Sequence, residues 1–310
     1  MRTKYLLAAT LLALSGMVGA QRPGIPYPIP TPEQSGEIPL YAGAAPGSEK
    51  ATQQVVWDQI GPQRWERNIT HPSIIPLLPP ADKANGTAVI LVPGGGFLFL
   101  SMDNEGYNVA RKMNAQGISV FILQYRTLPT PADNDGYMAT LKRVFDQSTP
   151  KSERLDVNKG LPFAIADAQT AIRYVRAHAT DYHLNPHHIG MVGFSAGAMT
   201  TFGTMMADAP QAIPDFGGVI YGPTSLDAAG PGAKVPADAP PMFNALSRDD
   251  RFFSNQNLSA IEGWRAAGKS IEFHLYEGGG HGFASYPSGN SSDLWFDELM
   301  AWMKALGYLK

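Results

Sequence analysis

The chain reads as an α/β protein, a mainly parallel central sheet with helices on both faces. Three observations predict this. From about Gln53 onward, short apolar runs alternate with segments of helical spacing. The run Ile118 to Tyr125 (ISVFILQY) is too continuously apolar for a surface strand, so it belongs in a sheet buried on both sides. The tract HIGMVGFSAGAMTTFG passes from strand through a sharp turn into helix, the alternation that parallel sheets are built from.

Taken in order, residues 1–20 carry Arg2 and Lys4, an apolar stretch from Tyr5 to about Leu14, and the small residues Val18-Gly19-Ala20. This is the pattern of a secretory signal cleaved after Ala20, the apolar run falling short of the roughly 20 residues that span a bilayer. A periplasmic or secreted protein with no membrane segment after cleavage is expected. No cysteine is present among the 310 residues, so stability must come from core burial rather than disulfides. Residues 21–52 are rich in Pro and Gly and lack periodicity, which predicts an extended arm over the domain surface.

The main domain is expected over 53–310. Thr87 to Val92 is a β-rich run, Asn104 to Gln116 has helical spacing, and Ile118 to Tyr125 is again a strand. Residues 129–159, with Pro-Thr-Pro and Asp-Asn-Asp-Gly, interrupt the alternation; they read as either a loop over the active site or a tolerated surface insertion. A helix follows at 161–179 and a strand at 189–192. Further strands are predicted at 216–222, 241–246 and 270–277, with helices at about 255–267 and 291–307. The net charge of −3 and the lack of any Lys/Arg run exclude a nucleic-acid-binding face.

Gly193-Phe194-Ser195-Ala196-Gly197 lies between strand and helix, the setting of a nucleophile elbow. Small residues flank the serine because strand and helix approach closely there. Serine alone is a poor nucleophile and needs a base within hydrogen-bond reach. Of the seven histidines, His281 stands apart: it sits between Gly278-Gly279-Gly280 and Gly282, just past a strand, in a loop able to bring an imidazole over the sheet edge. The third member should be a carboxylate between serine and histidine in chain order, and Asp249-Asp250 follows the strand PMFNAL.

The tract ILVPGGGFLFL puts Gly94-Gly95-Gly96 after a strand. It has no Gly-Lys-Ser/Thr ending for phosphate and no spaced-glycine dinucleotide fingerprint. With a downstream serine nucleophile it suits an oxyanion cradle, the N–H groups of Gly95, Gly96 and Ala196 being the candidate donors. No HExxH or cysteine cluster suggests a metal, and no metal or organic cofactor is expected.

From about residue 53 to the end, Ser195, the Asp pair and His281 on an alternating β/α chain resemble the α/β-hydrolase superfamily. Within it, PGGGF, DNEGYNVARKM, GFSAG, the Asp-Asp pair and GGGHGF resemble the bacterial acetyl esterase and acetylxylan esterase group, many of whose members carry xylanase-type labels. IPLYAGAAPG resembles the usual mature N-terminus of that group. Pro93 stands where the lipase-like branch has histidine. In related prolyl-oligopeptidase-like hydrolases the acid is the first carboxylate of a similar pair, which selects Asp249. The resemblance implies a serine carboxylesterase that forms an acyl-enzyme on short-chain, acetyl esters of xylan or xylo-oligosaccharides, so that a small ester or acetylated saccharide is the expected partner. A broad-specificity carboxylesterase or a peptidase on the same triad is the alternative. Phe97, Tyr125 and Phe283 are the expected pocket residues.

Overall fold

The structure, a computed structural model, describes residues 25–146 and 148–309; the expected signal segment lies outside them. The strands are β1 (Tyr27–Ile29), β2 (Ile38–Pro39), β3 (Val56–Ile60), β4 (Gln63–Arg67), β5 (Ser73–Leu77), β6 (Ala88–Val92), β7 (Phe99–Ser101), β8 (Ser119–Gln124), β9 (Ile189–Phe194), β10 (Gly217–Ile220), β11 (Met242–Ser247) and β12 (Ile271–Tyr276). The helices are α1 (Asn108–Ala115), α2 (Asn134–Phe145), α3 (Leu161–Ala177), α4 (Ala196–Met205), α5 (Ser259–Ala266) and α6 (Trp295–Ala305).

The main sheet has 8 strands in the order β12-β11-β10-β9-β6-β8-β5-β2. From β12 to β8 every pairing is parallel, while β5 and β2 add antiparallel to one edge. β6 and β8 are buried along their whole length, as their unbroken Val/Ile/Leu-rich pattern requires. The chain runs outward from β6 through α1 to β8, then returns through α3 to β9 on the other side of β6. With right-handed crossovers, this reversal puts α1 and α3 on opposite faces. Contacts group the helices accordingly: the Lys112 ammonium of α1 lies over the Phe296 ring of α6, whereas α3 packs on α4 so closely that a Cβ on Gly203 would lie 2.5 Å from Ile165 Cδ1, and Phe202 of α4 packs on Trp264 of α5. The reversal also makes the C-terminal ends of β6 and β9 the crevice where open α/β sheets bind ligands.

A second sheet, β1-β3-β4-β7, is antiparallel. It begins in the Pro/Gly-rich arm, which therefore contributes β1 to this sheet and β2 to the edge of the other instead of only lying over the surface. β7 follows the glycine tract directly and pairs with β4, which carries Trp65 to the mouth of the crevice.

The segment 129–159 is not a bare loop. Asp133 caps α2 by accepting from the Gly136 amide at 2.8 Å. The segment is anchored by Arg67, whose guanidinium is fully buried against Asp58 at 2.7 Å, donates to the Pro131 carbonyl at 2.5 Å, and lies 4.1 Å from the centre of the Tyr137 ring. The expected helix at 104–116 begins earlier, as a single π-helical turn over Met102–Tyr107 whose acidic and amide side chains point inward. Such turns are rare and concentrate at functional sites.

Candidate active site

Ser195 closes β9 and opens α4 with φ 53° and ψ −115°, a conformation that costs backbone energy and lifts the side chain above the sheet. The flanking glycines permit it. A Cβ on Gly193 would lie 2.1 Å from the Gly197 carbonyl oxygen, and one on Gly197 would lie 2.0 Å from that of Val92. The Ser195 Oγ is 2.8 Å from His281 Nε2.

On the other side of the imidazole, Nδ1 lies 2.7 Å from Asp250 Oδ2, not from Asp249. The expectation that Asp249 would partner His281 is thus corrected. The reason is local geometry: β11 ends in a turn closed by the Asp250 amide on the Ser247 carbonyl at 3.0 Å, so Asp249 stands at the exposed tip while Asp250 turns back inward. Asp250 is fully buried, and its Oδ1 accepts from the Phe252 and Phe253 amides at 2.8 and 3.1 Å. These contacts hold the carboxylate so that Oδ2 faces Nδ1–H, leaving Nε2 as acceptor for the serine hydroxyl. Asp249 instead accepts from the Ser247 hydroxyl and from the Gly280 amide, at 2.8 Å for the latter. Those two donors hold its carboxyl below the usual carboxylate range. It braces the loop that carries His281.

The His281 ring is collared by aromatics: Tyr221 and Phe252 meet it edge-on at 5.0 and 4.8 Å, and Phe253 stacks at 5.9 Å. Packing of this kind fixes a ring orientation with no need for further hydrogen bonds.

Across from the serine, Gly95 has φ 138°, and a Cβ there would lie 1.9 Å from the Phe99 carbonyl oxygen. Only glycine fits this turn. The Gly94 amide donates to Glu105 Oε2 at 2.6 Å, whereas the Gly95 and Gly96 amides have no partner among the described residues. Together with the first-turn amide of Ala196, which no other described group accepts from, they are the candidate donors to a carbonyl oxygen bonded to Ser195.

Around these groups is a cavity of about 360 Å³. Trp65, Phe99, Leu141, Phe145 and Phe252 form its apolar wall, with Gln63, Asn104 and Arg251 adding polar groups. Trp65 and Phe99 stack at 4.0 Å. A larger cleft of about 670 Å³, bordered by Arg176, Asp215 and Tyr308, lies at the N-terminal ends of β9 and β10, away from Ser195.

The architecture matches solved structures nearly end to end. The acetyl ester-xyloside bifunctional hydrolase from Caldicellulosiruptor lactoaceticus aligns with a TM-score of 0.61 over 89% of this chain and 98% of that one, at 20% identity. An α/β-hydrolase enzyme, MGS-M1, from a deep-sea metagenome aligns at 0.55 over 83% and 98%, at 21% identity. The chain has the α/β-hydrolase fold. A carboxylesterase from Lactobacillus plantarum aligns at 0.57 over 83% and 99%, with 17% identity.

In sequence, the BD-FAE family model matches residues 148–211 of this chain, a stretch that holds α3, β9 and Ser195. An acetylxylan esterase of Xylanibacter ruminicola is 24% identical over 253 residues, covering 73% of this chain and 47% of the relative. The chain thus spans about half the length of the curated relative it matches, and it resembles acetyl and acetylxylan esterases.

Phe97, Tyr125 and Phe283, the expected pocket residues, do not line the cavity. All three are buried in the core of the hydrolase fold. Phe97 has φ 59°, which turns its ring inward, edge-on to Tyr125 at 6.2 Å. The Tyr125 hydroxyl donates to the Pro93 carbonyl at 2.8 Å, and Phe283 packs against Tyr221 at 4.8 Å. The wall residues that sequence reasoning missed come from the β3–β4 hairpin and α2, with Phe99 from β7 and Phe252 from the turn after β11. Two signals pointed to the hairpin and helix residues: the turn Gly61-Pro62 between VVWDQI and QRWERN, and Asp133 as an N-cap before a helical run ending in Leu141 and Phe145.

Burial pushes the Glu105 carboxyl above the usual carboxylate range, although the Tyr221 hydroxyl and the Gly94 amide that bind it act in the opposite direction.

Proposed function

We propose that this chain is a secreted serine carboxylesterase that hydrolyses short-chain, acetyl esters, with xylan or xylo-oligosaccharide acetates as its substrates. The contact line from Asp250 through His281 to Ser195, facing the two free amides of Gly95 and Gly96, carries this reading. As Ser195 Oγ bonds to the ester carbonyl carbon, His281 Nε2 takes its proton, and the carbonyl electron pair moves onto oxygen. Asp250 stabilises the imidazolium without itself being protonated. The amides of Gly95, Gly96 and Ala196 hold the oxyanion. When the tetrahedral species collapses, the carbon–oxygen bond to the alcohol breaks and His281 returns the proton to that alcohol. Water, deprotonated by His281, then attacks the acyl-enzyme, and the same sequence in reverse frees Ser195 and the acid.

The acetylxylan esterase relative and the acetyl ester-xyloside hydrolase neighbour support the choice of acetylated saccharide. Export is supported by the basic, apolar and small-residue order of residues 1–20; among the described residues no helix is long and apolar enough to cross a membrane. The aromatic wall of Trp65, Phe99, Phe145 and Phe252 favours, as a second reading, a broad-specificity carboxylesterase that accepts larger apolar acyl groups.

Hydrolysis of an aryl ester series from acetate to octanoate, together with release of acetate from acetylated xylan, tests both. The first reading expects acetate to be preferred and acetylated xylan to be a substrate. Activity that rises with acyl length and is nil on the polysaccharide would favour the second.

A further inference from the structure

The π-helical turn Met102–Tyr107 presents three consecutive polar side chains to the interior, and each ties down a different segment. Asp103 receives the Arg64 amide and guanidinium of β4. Asn104 donates to the Gly282 carbonyl at 3.2 Å and accepts from the Ser285 amide at 3.0 Å, beside His281. Glu105, the third, has no part in the triad. It nonetheless lies beside the reacting centre, with only Gly94 between it and Ser195: a Cβ built on Gly94 would sit 2.8 Å from Ser195 Cβ and 3.0 Å from Glu105 Oε2.

The hydrogen bonds of Glu105 have a directional consequence. In a trans peptide the C=O and N–H point in opposite directions, so holding both fixes the plane. The Pro93–Gly94 peptide is held in this way, with the Tyr125 hydroxyl on its carbonyl at 2.8 Å and Glu105 Oε2 on its N–H at 2.6 Å. The next plane is fixed by the Ser101 amide on the Gly94 carbonyl at 3.0 Å, which turns the Gly95 N–H away from β7. The other carboxyl oxygen of Glu105 accepts from the Tyr221 hydroxyl at 2.7 Å, and the Tyr221 ring meets His281 edge-on. One buried side chain therefore touches both the loop that holds the oxyanion and the residue that packs on the base.

We propose that Glu105 is a positioning residue for ester hydrolysis: with Tyr125 it fixes the Pro93–Gly94 peptide plane, and through Tyr221 it couples the oxyanion loop to the His281 ring. This rests on the esterase reading given above. Glu105 acts through backbone amides and touches no reacting atom, so its loss affects the transition state more than the ground state.

The test compares wild type with Glu105→Ala, Glu105→Leu and Glu105→Gln on an aryl acetate, with melting temperatures recorded for each. Glu105→Ala is expected to lower kcat about 10²-fold, the lower end of the effect of losing one oxyanion donor, with KM within about threefold of wild type. Inhibition by an alkylboronic acid, which mimics the tetrahedral species, is expected to weaken in parallel. Glu105→Leu fills the same space without accepting a hydrogen bond and carries the same expectation should the alanine variant not fold. Glu105→Gln keeps an acceptor for the Gly94 amide and can donate to Tyr221, so it should recover kcat to within about tenfold. A folded Ala or Leu variant with unchanged kcat, an effect confined to KM, or a Gln variant as slow as Ala overturns the proposal. Ser195→Ala, run alongside, separates the two possible failures. Activity that survives in Ser195→Ala removes the esterase reading itself; an inactive Ser195→Ala with unaffected Glu105 variants removes only this inference.

Discussion

Replacing Asp250 by Asn should cripple turnover while leaving the fold intact, whereas the same change at Asp249 should not. In Asp250→Asn the side-chain oxygen can still accept from the Phe252 and Phe253 amides, at 2.8 and 3.1 Å in the wild type. The amide nitrogen then takes the place of Oδ2, 2.7 Å from His281 Nδ1. A donor facing Nδ1 makes that nitrogen the acceptor and leaves the proton on Nε2, where it cannot receive the Ser195 proton. An Asp-to-Asn change that traps the wrong tautomer costs about 10⁴ in kcat, equivalent to about 5 kcal/mol of transition-state stabilisation. Asp249 accepts from the Ser247 hydroxyl and the Gly280 amide and does not touch the imidazole, so an Asn there keeps an acceptor for both. Its kcat should fall less than about tenfold. The assay is steady-state hydrolysis of an aryl acetate by both variants, with circular dichroism to confirm folding. A larger loss for Asp249→Asn, or equal losses, would refute the assignment of Asp250.

Two further outcomes follow from the cavity wall and from a buried acid. Phe145 sits on α2 with its ring against the Gly96 turn and near Phe252; Phe145→Ala should raise kcat/KM for octanoate relative to acetate by about tenfold, the scale at which a pocket discriminates small apolar differences. An unchanged acyl-length profile would remove α2 from substrate selection. Glu66 is fully buried and bonded to Gln124, and desolvation raises its pKa from 4.5 to about 8. The native state therefore holds a proton that the unfolded chain releases. Its contribution to stability is complete below about pH 4.5 and is lost as pH rises toward about 8, by at most about 1.4 kcal/mol per pH unit. Urea denaturation of wild type and Glu66→Gln across this range should show a shallower pH slope for the variant, and identical slopes would contradict the account.

The parallel core was legible because its strands are buried on both faces and announce themselves as unbroken apolar runs, β6 and β8 above all. The strand, turn and helix around Ser195, and the glycines around His281, were legible because sharp turns need small residues. The choice between Asp249 and Asp250 was not. It depends on which residue of a β-turn points back into the protein, and two adjacent identical side chains carry no such mark. Nor could the pattern separate wall from core among the aromatics, since Phe97 turns inward through a positive φ and Phe99, two residues on, reaches the cavity. The second sheet was missed because its strands are only three to five residues long, and the Pro-rich arm masks both its first strand, Tyr27–Ile29, and the edge strand Ile38–Pro39 of the main sheet. In Met102–Tyr107 the expected helical periodicity gave way to a wider turn that points Asp103, Asn104 and Glu105 inward.

The central claim is that Ser195, activated by His281, forms a covalent acyl-enzyme. Mixing the protein with an aryl acetate and following aryl alcohol release on a rapid timescale, with intact-mass analysis of quenched samples, tests it directly. Wild type is expected to carry one acetyl group, mapped to Ser195, while Ser195→Ala carries none and loses kcat by about 10⁶. An acetyl group elsewhere, or equal turnover by the two proteins, would contradict it.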